Sequence, residues 1–214
     1  MTMTLISAAD LATHLGGSYW LPEQGYQVLM FDHRGQGLSE RLTDHPHKGH
    51  IEDFQHYIDD MHQLISRVVL ADKVQIDKKL PLYLIGHSMG GAISTLYLQQ
   101  HPDVFQKAAL SAPMHGINGK LAYDEWDACR LASTVTLFST EGYAGFADKP
   151  YTAGSFEGNE LTGSRERYQW MQTLYQDNPQ LQLGGATWGW LEQACAVLPL
   201  IPQQADKIKI PVLV

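Results

Sequence analysis

The chain is short of cysteine, of basic runs and of long apolar stretches, and it has no histidine beyond His115. Each shortage excludes something. Lysine and arginine number 15 against 23 acidic residues, a formal net charge of -8, so the electrostatic footprint of a nucleic-acid-binding protein is missing. No segment approaches the ~18 consecutive apolar residues that a membrane-spanning helix requires. The opening MTMTLISAADLATHL has no positively charged start, and Asp10 and His14 interrupt its apolar stretch, so it does not read as a secretory signal. The two cysteines, Cys129 and Cys195, are compatible with a reducing compartment. The expectation is a cytoplasmic protein, with peripheral contact at the inner membrane left open.

What is present is enough for a core. A length of 214 residues, 44% hydrophobic and 18% charged, suits one sizeable domain with room for an insertion. GYQVLMFD (25–32), LPLYLIG (80–86) and KAALSAP (107–113) are short apolar runs that predict buried strands. Between the first two, Ile51, Phe54, Ile58, Met61, Ile65 and Val68 recur every three or four residues, one face of a helix with Glu52 and Asp53 in its first turn. GAISTLYLQQHP predicts a second helix that stops before Pro102. Strands alternating with helices indicate a doubly wound, mostly parallel α/β sheet covered on both faces.

The pattern then changes. The residues from Met114 to Ala205 are rich in glycine and aromatics, including Trp126, Trp170, Trp188 and Trp190, and they carry amphipathic pieces such as RERYQWMQTLYQ. This stretch predicts a mainly helical cap insertion; an irregular but integral part of the core is the alternative. KIKIPVLV then resumes strand character. The expected division is 1–114 for the first part of the core, 115–205 for the cap, and 206–214 for the start of the returning core strand.

The segment YLIGHSMGGAIS places Gly-x-Ser-x-Gly where a strand gives way to a helix. A nucleophilic serine must lift its hydroxyl clear of the backbone while the next N–H points at the developing oxyanion, and a sharp strand-to-helix bend does both. Side chains two positions to either side would collide with the flanking elements, which accounts for Gly86 and Gly90, with Gly91 adding room. Ser88 is therefore the candidate nucleophile and the backbone N–H of Met89 the candidate oxyanion donor. His87, inside the bend, points elsewhere and belongs to its packing.

With FDHRGQGLSE and LSAPMHGI beside this bend, the chain resembles the α/β-hydrolase superfamily, and its bacterial lysophospholipase and monoacylglycerol lipase branch in particular. NELTGSRERYQWMQTLYQDNPQLQLGGATWGWL is similar to the lysophospholipase cap. The resemblance implies a serine hydrolase that forms an acyl-enzyme with a small lipid ester and needs no cofactor. A general carboxylesterase or acyltransferase, and a non-catalytic lipid-binding protein or inactive fragment, are the competing readings. Oligomeric state is not legible.

Two other motifs are conspicuous. Gly35-Gln36-Gly37 lacks the third glycine of a phosphate-cradling loop, and it reads as a structural turn. DHPHKGH brings His45, His47 and His50 near Asp44 without a zinc spacing, so it reads as a solvated loop and no metal is expected. The superfamily order, serine then acid then histidine, places both partners after the cap. There Asp206 precedes the last strand and no histidine follows, so triad acid and histidine are expected to be missing from these residues. The chain alone is expected to be nearly inactive, with an open apolar sheet edge at KIKIPVLV. A His-Gly turn for a second oxyanion donor is not matched either; His14-Leu15-Gly16-Gly17 has the residue types in another position.

Overall fold

A computed structural model of the protein describes residues 5–6, 25–26, 28–69, 80–117, 125–145 and 149–214. The stretch His14–Gly17 lies outside them. The chain forms two compact units, one from Met1–Ile51 with Thr140–Trp188 and the other from Glu52–Ser139 with Gly189–Val214.

In the first unit β1 (Leu5–Ile6) and β2 (Met30–Phe31) pair antiparallel, Leu5 opposite Phe31. The strand expected over 25–32 is thus reduced to two residues and stands outside the parallel sheet. Its neighbours explain why: Leu29 and Met30 are exposed, and Asp32 already opens a turn.

The second unit holds the sheet and its main helices. α1 (Gln55–Leu64) buries Ile58 and Met61 of the expected stripe, with Ile51, Phe54 and Ile65 buried beyond its ends, and Tyr57, Asp60 and Leu64 are buried beside them. It starts later than Ile51 because Asp53 caps it from outside, its Oδ1 accepting from the Gln55 N–H at 2.8 Å. Beyond Leu64 the chain widens into a π-helical turn over Ile65–Val69.

β3 (Tyr83–His87), β4 (Lys107–Ser111) and β5 (Val212–Leu213) run parallel in that order, with Ile85 opposite Ala109 and Ala109 opposite Leu213. Between β3 and β4 passes α2 (Met89–Gln100), in which every residue from Gly91 to Gln99 is buried. A helix apolar or small on all sides is a core element, and the full burial of Ile93 or Leu98 contributes about 1.5–3 kcal/mol each. The helix ends at His101, one residue before Pro102, as the pre-proline geometry requires. Strand pleating sends Gly86, Ala108 and Leu110 inward, while Ile85 and Leu213 stand 64% and 72% exposed. The fold is α/β, a parallel sheet with helices.

The remainder is mainly helical: α3 (Glu125–Val135), α4 (Arg165–Asp177), α5 (Trp188–Val197) and α6 (Leu200–Gln203). Ser164 caps α4, its Oγ accepting from the Arg167 N–H. In the second unit Cys129 of α3 and Cys195 of α5 form a disulfide across 66 residues of sequence. This corrects the expectation of two thiols in a reducing compartment; a pairing between distant helices leaves no trace in local pattern. No helix among the described residues is long and apolar enough to cross a membrane.

Candidate active site

At the end of β3 the chain turns sharply into α2, and the residue at the turn is Ser88, with φ 51° and ψ -122°. A non-glycine residue here carries about 1–3 kcal/mol of strain, and it keeps this conformation only because its neighbours hold it. The Ser88 N–H donates to the Ser111 carbonyl at 3.1 Å. The Ser88 carbonyl accepts from the N–H groups of Gly91, Ala92 and Met114 at 2.9, 3.2 and 2.9 Å. The side chain is left outside this net, and Ser88 is exposed.

The glycines show why the bend tolerates little else. A Cβ on Gly86 would stand 2.6 Å from Ser94 Oγ and 2.9 Å from the Gly90 carbonyl oxygen. On Gly91 it would stand 2.7 and 2.8 Å from Pro113 Cβ and Cα. Gly91, expected only to add room, thus has a close neighbour in Pro113, and Gly90 approaches the Gly86 position through its carbonyl. Met89 is the first residue of α2, so its amide lies at the positive end of the helix dipole.

Two histidines of this unit touch the surroundings of the bend. His87 Nδ1–H donates to the Ser111 carbonyl at 3.0 Å, so its ring is committed to β4. His115 Nε2 lies 2.9 Å from Thr95 Oγ1, and that hydroxyl donates to the Gly91 carbonyl at 2.8 Å. Burial lowers the His115 pKa below its ordinary value. Asp206 is far in topology: it sits in a 3₁₀ turn before β5, at the N-terminal end of the sheet, whereas Ser88 follows the C-terminal end of β3. Sites on parallel sheets form at the C-terminal ends of strands, so Asp206 is on the wrong edge.

Further residues matter that the sequence reading passed over. Ala112, just after β4, has φ +43°, a second left-handed non-glycine, and the following Pro113 abuts Gly91. The motif LSAPMHGI contained both, but nothing in its residue types announced the backbone twist.

In the first unit the Gly35-Gln36-Gly37 turn closes on itself. Asp32 Oδ2 accepts from the Leu38 N–H at 2.8 Å, and a Cβ on Gly37 would meet that carboxylate. The histidine loop is a correction. Asp44, His45 and Pro46 are exposed as expected, but the end of the loop is stitched to residues 184–187: the Gly49 N–H donates to the Gly185 carbonyl at 3.0 Å, the Thr187 N–H to the Gly49 carbonyl at 2.9 Å, and buried His50 pairs with Thr187 Oγ1 at 2.7 Å. Contacts spanning some 137 positions are invisible to spacing rules. Among the described residues no group of three or more His, Cys, Asp or Glu could hold a metal ion.

The family model of Hydrolase_4, described as serine aminopeptidase, S33, matches residues 14–214. The chain is 36% identical over 197 residues to a Haemophilus influenzae protein named probable lysophospholipase L2, covering 92% of this chain and 60% of that protein. It is 38% identical over 178 residues to lysophospholipase L2 of Escherichia coli strain K12, covering 83% and 50%. The chain therefore spans between half and three-fifths of the length of these relatives. The crystal structure of Paleococcus ferrophilus monoacylglycerol lipase superposes with a TM-score of 0.62 at 16% identity, over 99% of this chain and 75% of that one, a likeness of fold. A strained serine bend on a parallel α/β sheet and a family match across nearly the whole length agree, and the chain belongs to the Hydrolase_4 family of α/β hydrolases.

Proposed function

We propose that this protein hydrolyses carboxylic esters of lysophospholipids or monoacylglycerols through an acyl-enzyme on Ser88. The observation that carries the reading is the exposed, left-handed Ser88 at the strand-to-helix bend, in a chain similar to proteins named lysophospholipase. Ser88 Oγ attacks the ester carbonyl and passes its proton to a base. The alcohol portion leaves with a proton as the C–O bond breaks, and water then releases the fatty acid. The Met89 N–H holds the oxyanion, a contribution of about 10²–10³ in kcat for one donor. In this reading residues 115–205 are the cap segment, which receives the acyl chain, and 1–114 with 206–214 belong to the core.

The reaction needs no cofactor, and the partner is a small lipid ester met at a membrane surface. The Cys129–Cys195 pair favours the oxidising face of that membrane over the cytoplasm. No histidine follows His115 in these 214 residues, so turnover is proposed for the whole protein. The 214 residues alone should retain only the ~10³–10⁴-fold enhancement that binding and oxyanion contacts supply without a base.

A fluorophosphonate probe on the full-length native protein tests the proposal. Labelling at Ser88, abolished in Ser88→Ala, together with release of fatty acid from lysophosphatidylcholine or a monoacylglycerol, is the expected result. A folded protein that does not label points to a non-catalytic lipid binder. Preference for short p-nitrophenyl esters points to a general carboxylesterase, and transfer of the acyl group to an added alcohol points to an acyltransferase.

A further inference from the structure

The five residues from Ser111, the last of β4, to His115 do more than connect. Ser111 accepts the Ser88 N–H, Met114 donates to the Ser88 carbonyl, and Pro113 packs on Gly91, so one short segment holds the serine bend from both sides. That segment is itself bent against preference, with Ala112 at φ +43°. Two left-handed non-glycine residues, Ser88 and Ala112, thus share one net, in which Ser88 is hydrogen-bonded to Ser111 before Ala112 and to Met114 after it.

His115 closes the segment and is fastened to α2. Thr95 lies one helical turn after Gly91, is 3% exposed, and spends its only hydroxyl proton on the Gly91 carbonyl at 2.8 Å. At 2.9 Å the Thr95 oxygen can then only accept from His115, which defines the ring as the Nε2–H tautomer. The chain of contacts runs His115, Thr95, Gly91, and Gly91 donates its own N–H to the Ser88 carbonyl. We propose that His115 is a positioning residue for Ser88, acting through Thr95 and the first turn of α2 to hold the nucleophile's backbone in its left-handed conformation. Partial desolvation lowers the pKa of this ring, which favours its neutral form.

The inference rests on the nucleophilic role of Ser88, and one experiment separates the two. Fluorophosphonate labelling rate, kcat and KM are measured for the full-length protein and for His115→Ala, His115→Gln and Thr95→Val. A misplaced reacting group costs up to about 100-fold, so His115→Ala should label Ser88 about 10- to 100-fold more slowly and lower kcat equally, with KM within about 2-fold. His115→Gln, whose amide N–H can reach the same oxygen, should recover most of the rate. If the native protein labels and His115→Ala matches it, the positioning role is refuted while the hydrolase reading stands. If His115→Gln is as slow as alanine, the hydrogen bond is not the cause, and the inference fails. Should His115→Ala not fold, Thr95→Val keeps the shape and removes the hydroxyl; a native labelling rate there overturns the proposal. No labelling of Ser88 in the folded native protein overturns both readings.

Discussion

The Cys129–Cys195 disulfide joins α3 to α5 across 66 residues, and that closed loop contains all of Thr140–Trp188, the second segment of the other compact unit. Cross-linking removes loop-closure entropy from the unfolded chain, and a loop of this length corresponds to about 4 kcal/mol at 25 °C. For a chain of this size each kcal/mol moves the melting midpoint by about 2–4 °C. Reduction, or the Cys129→Ser/Cys195→Ser double variant, should therefore lower the midpoint by about 8–16 °C, read by circular dichroism with and without a phosphine reductant. The double variant should be indifferent to reductant. Alkylation of protein isolated without reductant should find no free thiol. Two modified cysteines would show that the pair does not form, and a shift below about 2 °C on reduction of a confirmed pair would refute the loop-closure argument.

Other consequences can be checked together. Gly91→Ala places a methyl group within 2.8 Å of Pro113, so overpacking of about 1–3 kcal/mol and loss of Ser88 labelling are expected in urea unfolding and probe assays. Ser88→Gly removes the left-handed strain and should stabilise the protein by about 1–2 kcal/mol while abolishing labelling; a destabilised variant would contradict the strain. Ile93→Ala, fully buried in α2, should cost about 2–5 kcal/mol. Burial lowers the pKa of His101, with a smaller contribution from His62, and burial lowers that of His115. Folded-state values below the ordinary 6.5 mean that the unfolded chain takes up protons first, so stability is intact above pH 6.5 and declines as pH falls through the lowered folded values. Urea midpoints measured from pH 7.5 down to 5 should fall, with a smaller fall in His101→Gln.

The local parts of this molecule were legible in its residues. The three- and four-residue spacing of Phe54, Ile58, Met61 and Ile65 specified α1, and the apolar run ending at Gly86 specified β3. Pro102 set the end of α2 through its own steric clash with the preceding residue. At the bend, the absence of a side chain at Gly86 is explained by Ser94 Oγ and the Gly90 carbonyl, both within the next few residues of the chain. These are effects of near neighbours, which is all that a pattern along the chain can record.

What only the tertiary structure decided depends on residues distant in sequence. The crowding of Gly91 comes from Pro113, the tautomer of His115 from Thr95, and the seat of the histidine loop from residues 184–187. The bond between Cys129 and Cys195 exists because two helices approach at that point, with Cα atoms 5.6 Å apart. The reduction of the 25–32 run to Met30–Phe31, and the exposure of Ile85 and Leu213, likewise depend on which partner lies across the backbone. Composition states that a side chain prefers burial; the contact that grants or denies it is made by chain folded back from elsewhere.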